Sequence, residues 1–96
     1  MKKMTDNQVK TALEAAPEWS LVGETIQRTF HFSGFTGAMA FVGQIADAAE
    51  ERQHHPDILI RYNKVTLTLA THDAGGITTS DFELAETADG LFGSGK

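Results

Sequence analysis

The stretch DILIRYNKVTLTLAT, residues 57–71, decides how this chain folds. It contains two strand-like runs, residues 57–62 and residues 65–71, which are separated by Asn63 and Lys64. Asn tolerates the left-handed backbone conformation that a tight hairpin turn requires. The segment therefore predicts an antiparallel β-hairpin with a two-residue turn at Asn63-Lys64.

The register of this hairpin follows from the position of the turn. With the turn at Asn63-Lys64, the two positions of each pair add up to the same sum, 63 + 64 = 127. One face of the hairpin then carries the large apolar residues, with Tyr62, Ile60 and Ile58 opposite Val65, Leu67 and Leu69. A slip by one residue would scatter this face, so the hydrophobic pattern supports the register. The same sum places His55 opposite His72, and directly opposed Cβ atoms lie about 5 Å apart.

The residues before the hairpin predict a helix and a first pair of strands. Thr5 and Gln8 have the spacing of a capping box, and an apolar stripe with helical periodicity follows them. Pro17 is expected to stop this helix. Residues 19–22 and 25–32 are strand-like, and a Gly-Glu turn separates them.

Two further helices lie on either side of the hairpin. Residues 35–53 form the main helix, and Thr78 and Asp81 have the spacing of a capping box for a last helix. Asp81 is therefore expected to be a structural cap, and residues 93–96 a frayed tail. The element order is α-β-β-α-β-β-α, which predicts a single α+β domain over residues 1–96.

The main helix carries apolar residues over an unusually wide arc. One set comprises Phe35, Ala38, Met39, Val42, Ala46 and Ala49, and an offset set comprises Phe41, Ile45 and Ala48. One sheet cannot cover so wide an arc. Either this helix, or a strand beside it, also contacts another subunit, or the helix is buried between the sheet and the other helices.

The composition excludes several classes of protein. The chain has 96 residues, no cysteine and a formal net charge of −5, so disulfides and thiolate metal sites are absent and direct binding to nucleic acid is disfavoured. No transmembrane helix or signal peptide is recognisable. We therefore expect a cytoplasmic protein that binds neither nucleic acid nor membrane directly.

Three of the four histidines fall within residues 54–72, which suggests proton-transfer chemistry near neutral pH. Glu50 lies four residues before His54 on the predicted helix, so its carboxylate is expected to orient that ring. Pro56 favours extended geometry at His55, so the two adjacent imidazoles are expected to diverge. The fourth histidine, His31, lies on the polar face of its strand and is interpreted as structural.

The spacing Glu-x3-His-His-Pro-x5-Tyr-x9-His-x8-Asp resembles the signature of the pterin-4a-carbinolamine dehydratases, also known as dimerisation cofactors of a hepatocyte nuclear factor. The resemblance extends over residues 49–84. It implies a two-layer sandwich, a four-stranded antiparallel sheet with three helices, assembled as a dimer of dimers. It also implies dehydration of a 4a-hydroxytetrahydropterin without metal or bound cofactor, after an aromatic amino acid hydroxylase has used its pterin.

The resemblance also implies roles for individual residues. His54 and His72 resemble the acids that assist departure of the hydroxyl, and His55 resembles the base or the main binding contact. Glu50 resembles the residue that orients His54. The substrate-binding residues that the resemblance implies are His55, Pro56, Thr71, His72 and Asp73.

Two alternatives remain open at this point. Three histidines and a glutamate could bind zinc, although adjacent histidines point apart. The chain could instead be a non-catalytic interaction module, because animal members of the family also stabilise a transcription-factor dimer.

Tyr62 is expected in the core. Ile58 stands where relatives commonly carry an aromatic residue, which puts ring stacking at that position in doubt.

Overall fold

The computed structural model describes residues 2–94. The helices are α1 (Asp6–Glu14), α2 (Phe35–Arg52) and α3 (Thr79–Ser94), and the strands are β1 (Ser20–Val22), β2 (Thr25–His31), β3 (Asp57–Arg61) and β4 (Lys64–Leu69). A short 3₁₀ turn spans His72–Ala74. The predicted element order and the α+β class are confirmed.

The four strands form one antiparallel sheet in the order β1-β2-β4-β3. One face of the sheet is apolar and packs against the helices, whereas the opposite face carries hydrogen-bonded polar pairs such as Thr29 with Thr66. The core includes Ile26, Phe30, Val65, Leu67 and Leu69 from the sheet, Ala38, Phe41 and Ile45 from α2, and Leu84, Ala85 and Ala88 from α3. This arrangement gives the predicted two layers.

Some of the predicted helix ends are confirmed and others are wrong. Both halves of the capping box between Thr5 and Gln8 are present at the start of α1. The helix ends at Glu14, earlier than Pro17 requires. At the other end of the chain, α3 continues through Gly93 to Ser94, so these two residues are helical and the predicted tail starts too early. Residues 95 and 96 lie outside the described residues.

The predicted hairpin register is wrong by two residues. Arg61 pairs with Lys64, so the turn consists of Tyr62 and Asn63, and paired positions add up to 61 + 64 = 125. Asn63 makes two hydrogen bonds to Phe32, the residue directly after β2. Its backbone carbonyl accepts from the Phe32 N–H at 2.8 Å, and its side-chain amide donates to the Phe32 carbonyl at 3.0 Å. Tyr62 therefore takes the left-handed conformation, with φ of 54°.

A slip by two residues keeps every side chain on its predicted face. Val65, Leu67 and Leu69 are accordingly fully buried. Tyr62, in contrast, is 68% exposed at the turn, so its predicted place in the core is wrong. β3 lies at the edge of the sheet, and all of its residues are exposed.

The structure buries most of the offset apolar set of α2 and divides the first set between the core and the surface. Phe41 and Ile45, from the offset set, are buried within the subunit together with Ala38 and Ala49. The Phe41 ring packs against Phe30, with their ring centroids 4.7 Å apart. The apolar residues left on the surface belong to the first set, and they include Phe35 and Met39, which are 51% and 39% exposed. Any subunit contact through α2 must therefore use that stripe and not Phe41.

Candidate active site

The end of α2 determines where the two adjacent histidines lie. Gln53 caps the helix in the left-handed conformation, with φ of 53°, and its N–H donates to carbonyls of the last helical turn. The His54 N–H donates to the Ala49 carbonyl at 3.0 Å, which fixes the backbone directly after the cap. Pro56 then leads into β3. The chain thus changes direction between the two histidines.

His72 stands at the beginning of a tight loop after β4. Thr71 and Gly76 form an isolated antiparallel bridge, in which the Thr71 N–H donates to the Gly76 carbonyl at 2.8 Å. Between them, residues His72–Ala74 form the 3₁₀ turn, and Gly75 takes a positive φ of 76°, which Gly adopts without strain. This closed loop holds the exposed His72 side chain near the start of β3.

A cleft of about 290 Å³ brings the three histidines together. Its lining consists of Gln53, His54, His55, Ala70, Thr71, His72 and Asp73. The predicted pairing of His55 opposite His72 is wrong, because β3 begins at Asp57 and β4 ends at Leu69. The cleft is instead formed by the chain segments that enter β3 and leave β4.

The histidine–carboxylate pairs differ from the pair that the sequence predicts. Glu50 is hydrogen-bonded to Nε2 of His55, so the prediction that it orients His54 is wrong. Nε2 of His54 lies 2.5 Å from Oδ1 of Asp81, on α3. The left-handed cap at Gln53 turns the chain out of the helix, so His54 leaves the face on which Glu50 lies. The two adjacent histidines therefore bond carboxylates on different helices, His54 on α3 and His55 on α2.

The two histidine–carboxylate pairs differ in their exposure to solvent. Asp81 is fully buried, and the His54 side chain is 16% exposed. Glu50 and His55 are both mostly exposed. Solvent competes for an exposed hydrogen bond and screens its charge, so the buried pair constrains its ring far more strongly.

Asp81 also caps α3, as predicted. Its Oδ2 accepts from the Thr78 N–H at 2.8 Å and from the Thr71 hydroxyl at 2.9 Å. The Thr78 hydroxyl is 2.7 Å from the Thr71 hydroxyl, and the Asp81 N–H donates to the Thr78 carbonyl at 3.1 Å. Asp81 therefore combines a structural role with a contact to a cleft histidine, and only the first role was expected.

The remaining predicted site residues lie at or beside the cleft. Asp73 lines it, whereas the Thr71 hydroxyl is engaged by Asp81 and Thr78. Ile58, where relatives often carry an aromatic residue, lies on the edge strand and is partly exposed. Gln53 and Ala70 also line the cleft, although neither is among the site residues predicted from the sequence.

Two larger concave regions occur elsewhere on residues 2–94. One of about 770 Å³ lies between the N-terminal segment and α1, and one of about 350 Å³ lies beside Phe32, Phe41 and Phe92. Neither brings together several titratable side chains that could exchange protons at neutral pH, since His31 alone borders the second. The chemistry of the side chains therefore favours the smaller histidine cleft as the candidate active site.

The described part of the chain offers no preformed metal centre. No three His, Asp or Glu side chains of residues 2–94 converge on one point as metal ligands do. Nε2 of His54 and Nε2 of His55 each face a carboxylate.

Among the helices of residues 2–94, none combines the length and the apolar character that crossing a membrane requires.

Comparison with known proteins gives a consistent result. The family model "Pterin 4 alpha carbinolamine dehydratase" matches residues 2–91. A relative from Picosynechococcus sp. is 51% identical over 89 residues, which cover 93% of this chain and 97% of the relative. A relative from Acidobacterium capsulatum is 47% identical over 91 residues, which cover 95% of this chain and 99% of the relative. Both relatives carry the provisional name pterin-4-alpha-carbinolamine dehydratase.

Solved structures support the same assignment. A transcriptional coactivator/pterin dehydratase from Brucella melitensis superposes with a TM-score of 0.91 at 36% identity, covering 94% of this chain and 98% of that chain. A pterin dehydratase-like protein described as a RuBisCO assembly factor shares the fold, with a TM-score of 0.65 at 24% identity over 78% of this chain and 87% of that chain. The family assignment supports a pterin dehydratase activity in general. From the family match, the relatives and the fold together, this chain belongs to the pterin 4 alpha carbinolamine dehydratase family.

Proposed function

We propose that this protein dehydrates 4a-hydroxytetrahydropterin to quinonoid dihydropterin by histidine acid–base catalysis, as the recycling step after an aromatic amino acid hydroxylase. The observation that carries the proposal is the convergence of His54, His55 and His72 on one cleft in a member of this family. The volume of the cleft, about 290 Å³, is at the small end for a ligand pocket. This size suits a compact bicyclic substrate such as a pterin.

The reaction needs an acid and a base on either side of a flat polar ring. A proton delivered to the 4a-hydroxyl allows the carbon–oxygen bond to break and water to leave, and loss of a proton from the neighbouring ring nitrogen completes the new double bond. The His72 side chain makes no hydrogen bond or ion pair within residues 2–94, so its ring is available to the hydroxyl. His54 is the second acid, and His55 is the base or the main binding contact.

A direct assay tests the proposal. The purified protein is mixed in a stopped-flow instrument with freshly generated 4a-carbinolamine, and its rate is compared with the spontaneous dehydration. We expect the protein to accelerate the reaction catalytically. A rate equal to the uncatalysed one at every protein concentration would exclude the proposed activity.

The same material distinguishes acid–base catalysis from metal catalysis. We expect elemental analysis of the purified protein to find no stoichiometric zinc or iron, and dialysis against a chelator to leave the dehydratase rate unchanged. The reason is that both adjacent histidines hold carboxylates, which leaves no set of three free ligands in the described chain. One metal ion per chain, lost together with activity, would establish the zinc alternative.

We also propose that the protein is a homo-oligomer, with β3 as one of its interfaces. β3 is an edge strand whose Ile58, Leu59 and Ile60 are exposed, and edges of this kind pair readily with another strand. Antiparallel pairing of two copies of β3 around Leu59 brings Asp57 opposite Arg61 of the partner subunit. Arg61 has no ion pair within residues 2–94 and lies beside Lys64, so this carboxylate supplies a missing counter-charge.

The exposed stripe of α2 supports a second contact. Residues 35–46 contain no charged side chain, and Phe35 and Met39 are exposed among them. Extensive exposed apolar surface of this kind marks an interface. Two different isologous contacts, one through β3 and one through α2, produce a dimer of dimers.

Charge reversal tests the β3 interface. Arg61→Asp places two carboxylates opposite each other, twice in each symmetric contact, so the assembly is expected to fall from a tetramer to a dimer. The combined variant Asp57→Arg with Arg61→Asp restores opposite charges and should restore the larger mass. Light scattering at micromolar concentration measures both. A strictly monomeric wild-type protein, or a mass that Arg61→Asp leaves unchanged, contradicts this interface.

A further inference from the structure

From the buried network around Asp81, we infer that this carboxylate is a positioning residue that fixes the tautomer of His54. The inference rests on the proposed function in so far as His54 takes part in the reaction. Asp81 contributes no side-chain atom to the histidine cleft, whose lining residues belong to other parts of the chain. It therefore acts through His54 and not on the substrate.

The hydrogen bonds around Asp81 determine which atom carries each proton. A carboxylate only accepts, so the Thr78 N–H and the Thr71 hydroxyl both donate to Oδ2. The Thr71 hydroxyl has a single proton, so the Thr78 hydroxyl donates to Thr71 at 2.7 Å. Oδ1 is left for the His54 ring, whose Nε2 must carry the proton that bridges the 2.5 Å distance.

This arrangement assigns the remaining ring nitrogen of His54. With the proton held on Nε2, Nδ1 is the atom that takes up a proton and passes it on. Asp81 is fully buried, and no buried side-chain nitrogen or oxygen of residues 2–94 lacks a hydrogen-bond partner. The carboxylate thus cannot turn away without leaving a buried group unsatisfied, so the tautomer is held by the same contacts that begin α3.

The variant Asp81→Asn tests this directly because it changes the tautomer and preserves the shape. The two donors Thr78 N–H and Thr71 hydroxyl hold the amide oxygen of Asn at the position of Oδ2. The amide NH₂ then points at His54 and can only donate, so Nε2 must become the acceptor and the proton moves to Nδ1. The α3 cap remains intact.

The measurement is a long-range ¹H–¹⁵N spectrum of the imidazoles at a pH where the rings are neutral. In the wild type we expect His54 to show a protonated Nε2, while His31, whose exposed side chain has no hydrogen bond or ion pair within residues 2–94, serves as the freely exchanging reference. In Asp81→Asn we expect the His54 pattern to invert and kcat to fall by about 10²–10⁴, with a much smaller change in KM. Glu86→Gln makes the same chemical change at an exposed position of α3 and should alter neither.

The outcomes separate this inference from the proposed function. A wild-type His54 that exchanges freely or carries its proton on Nδ1 overturns the inference, and this readout needs neither activity nor a folded variant. An inverted tautomer with unchanged kcat would show that the His54 tautomer does not matter for the reaction, so Asp81 would not be a positioning residue, while the dehydratase activity stands. If the wild type does not dehydrate the carbinolamine, the proposed function falls, and the wild-type spectrum still decides whether Asp81 holds the ring.

Discussion

His72→Ala and His55→Ala are each expected to lower the dehydratase turnover by about 10²–10⁴, which is the usual contribution of a general acid or base. Both residues line the cleft from opposite chain segments, and the His72 side chain has no hydrogen bond or ion pair within residues 2–94 that would give it a structural role. Neither residue belongs to the buried core, so the variants should fold normally. The rates are measured by stopped flow with freshly generated carbinolamine.

The matched control for this prediction is His31→Ala. His31 is the fourth histidine of the chain, it is exposed, and it lies away from the histidine cleft on β2. Its removal should leave the turnover unchanged. If His55→Ala and His72→Ala both retain near-normal turnover, the assignment of the cleft as the active site fails.

Phe41→Ala is expected to reduce the free energy of unfolding by about 3–5 kcal/mol, the usual cost of removing a buried aromatic ring. The Phe41 side chain is 3% exposed, and its ring packs against Phe30, Phe32 and Phe92. This loss is a large part of the stability of a small domain, which is about 5–15 kcal/mol. Urea denaturation at a fixed protein concentration measures it.

The matched control is Phe35→Ala, which removes the same ring from the exposed stripe of the same helix. It should cost far less unfolding free energy than Phe41→Ala, and it should weaken subunit association if the stripe is an interface. Equal losses of stability in the two variants would mean that the buried face of α2 is assigned wrongly.

The α2 helix shows why periodicity alone left its orientation open. Both apolar sets fit a helix, and the sequence offers no reason to choose which one faces the sheet. The choice depends on ring packing across the chain, where Phe41 meets Phe30 of β2 and Phe92 of α3. Contacts between residues this far apart in sequence are set by the tertiary arrangement, so the sequence left open whether the offset set faces the core or another subunit.

For the hairpin, the sequence predicted the buried face correctly but misplaced the turn. The alternation of apolar residues correctly predicted which side chains of β4 are buried, because a two-residue slip preserves the faces. The turn itself was misplaced, because local propensity favours Asn for the left-handed conformation. Asn63 instead bonds the backbone of Phe32, directly after β2, and the left-handed residue is Tyr62.

The order of the elements, the capping box at Thr5 and the set of three histidines were all predictable from the sequence, because these features depend on local spacing and residue type. The choice of carboxylate for each histidine depends instead on how the helices pack. Spacing along a helix favoured Glu50 for His54, but the left-handed cap at Gln53 turns the chain, and a buried Asp81 from α3 takes that place. A partner 27 residues away becomes a neighbour only when the helices pack, since burial excludes the water that would otherwise compete for the bond.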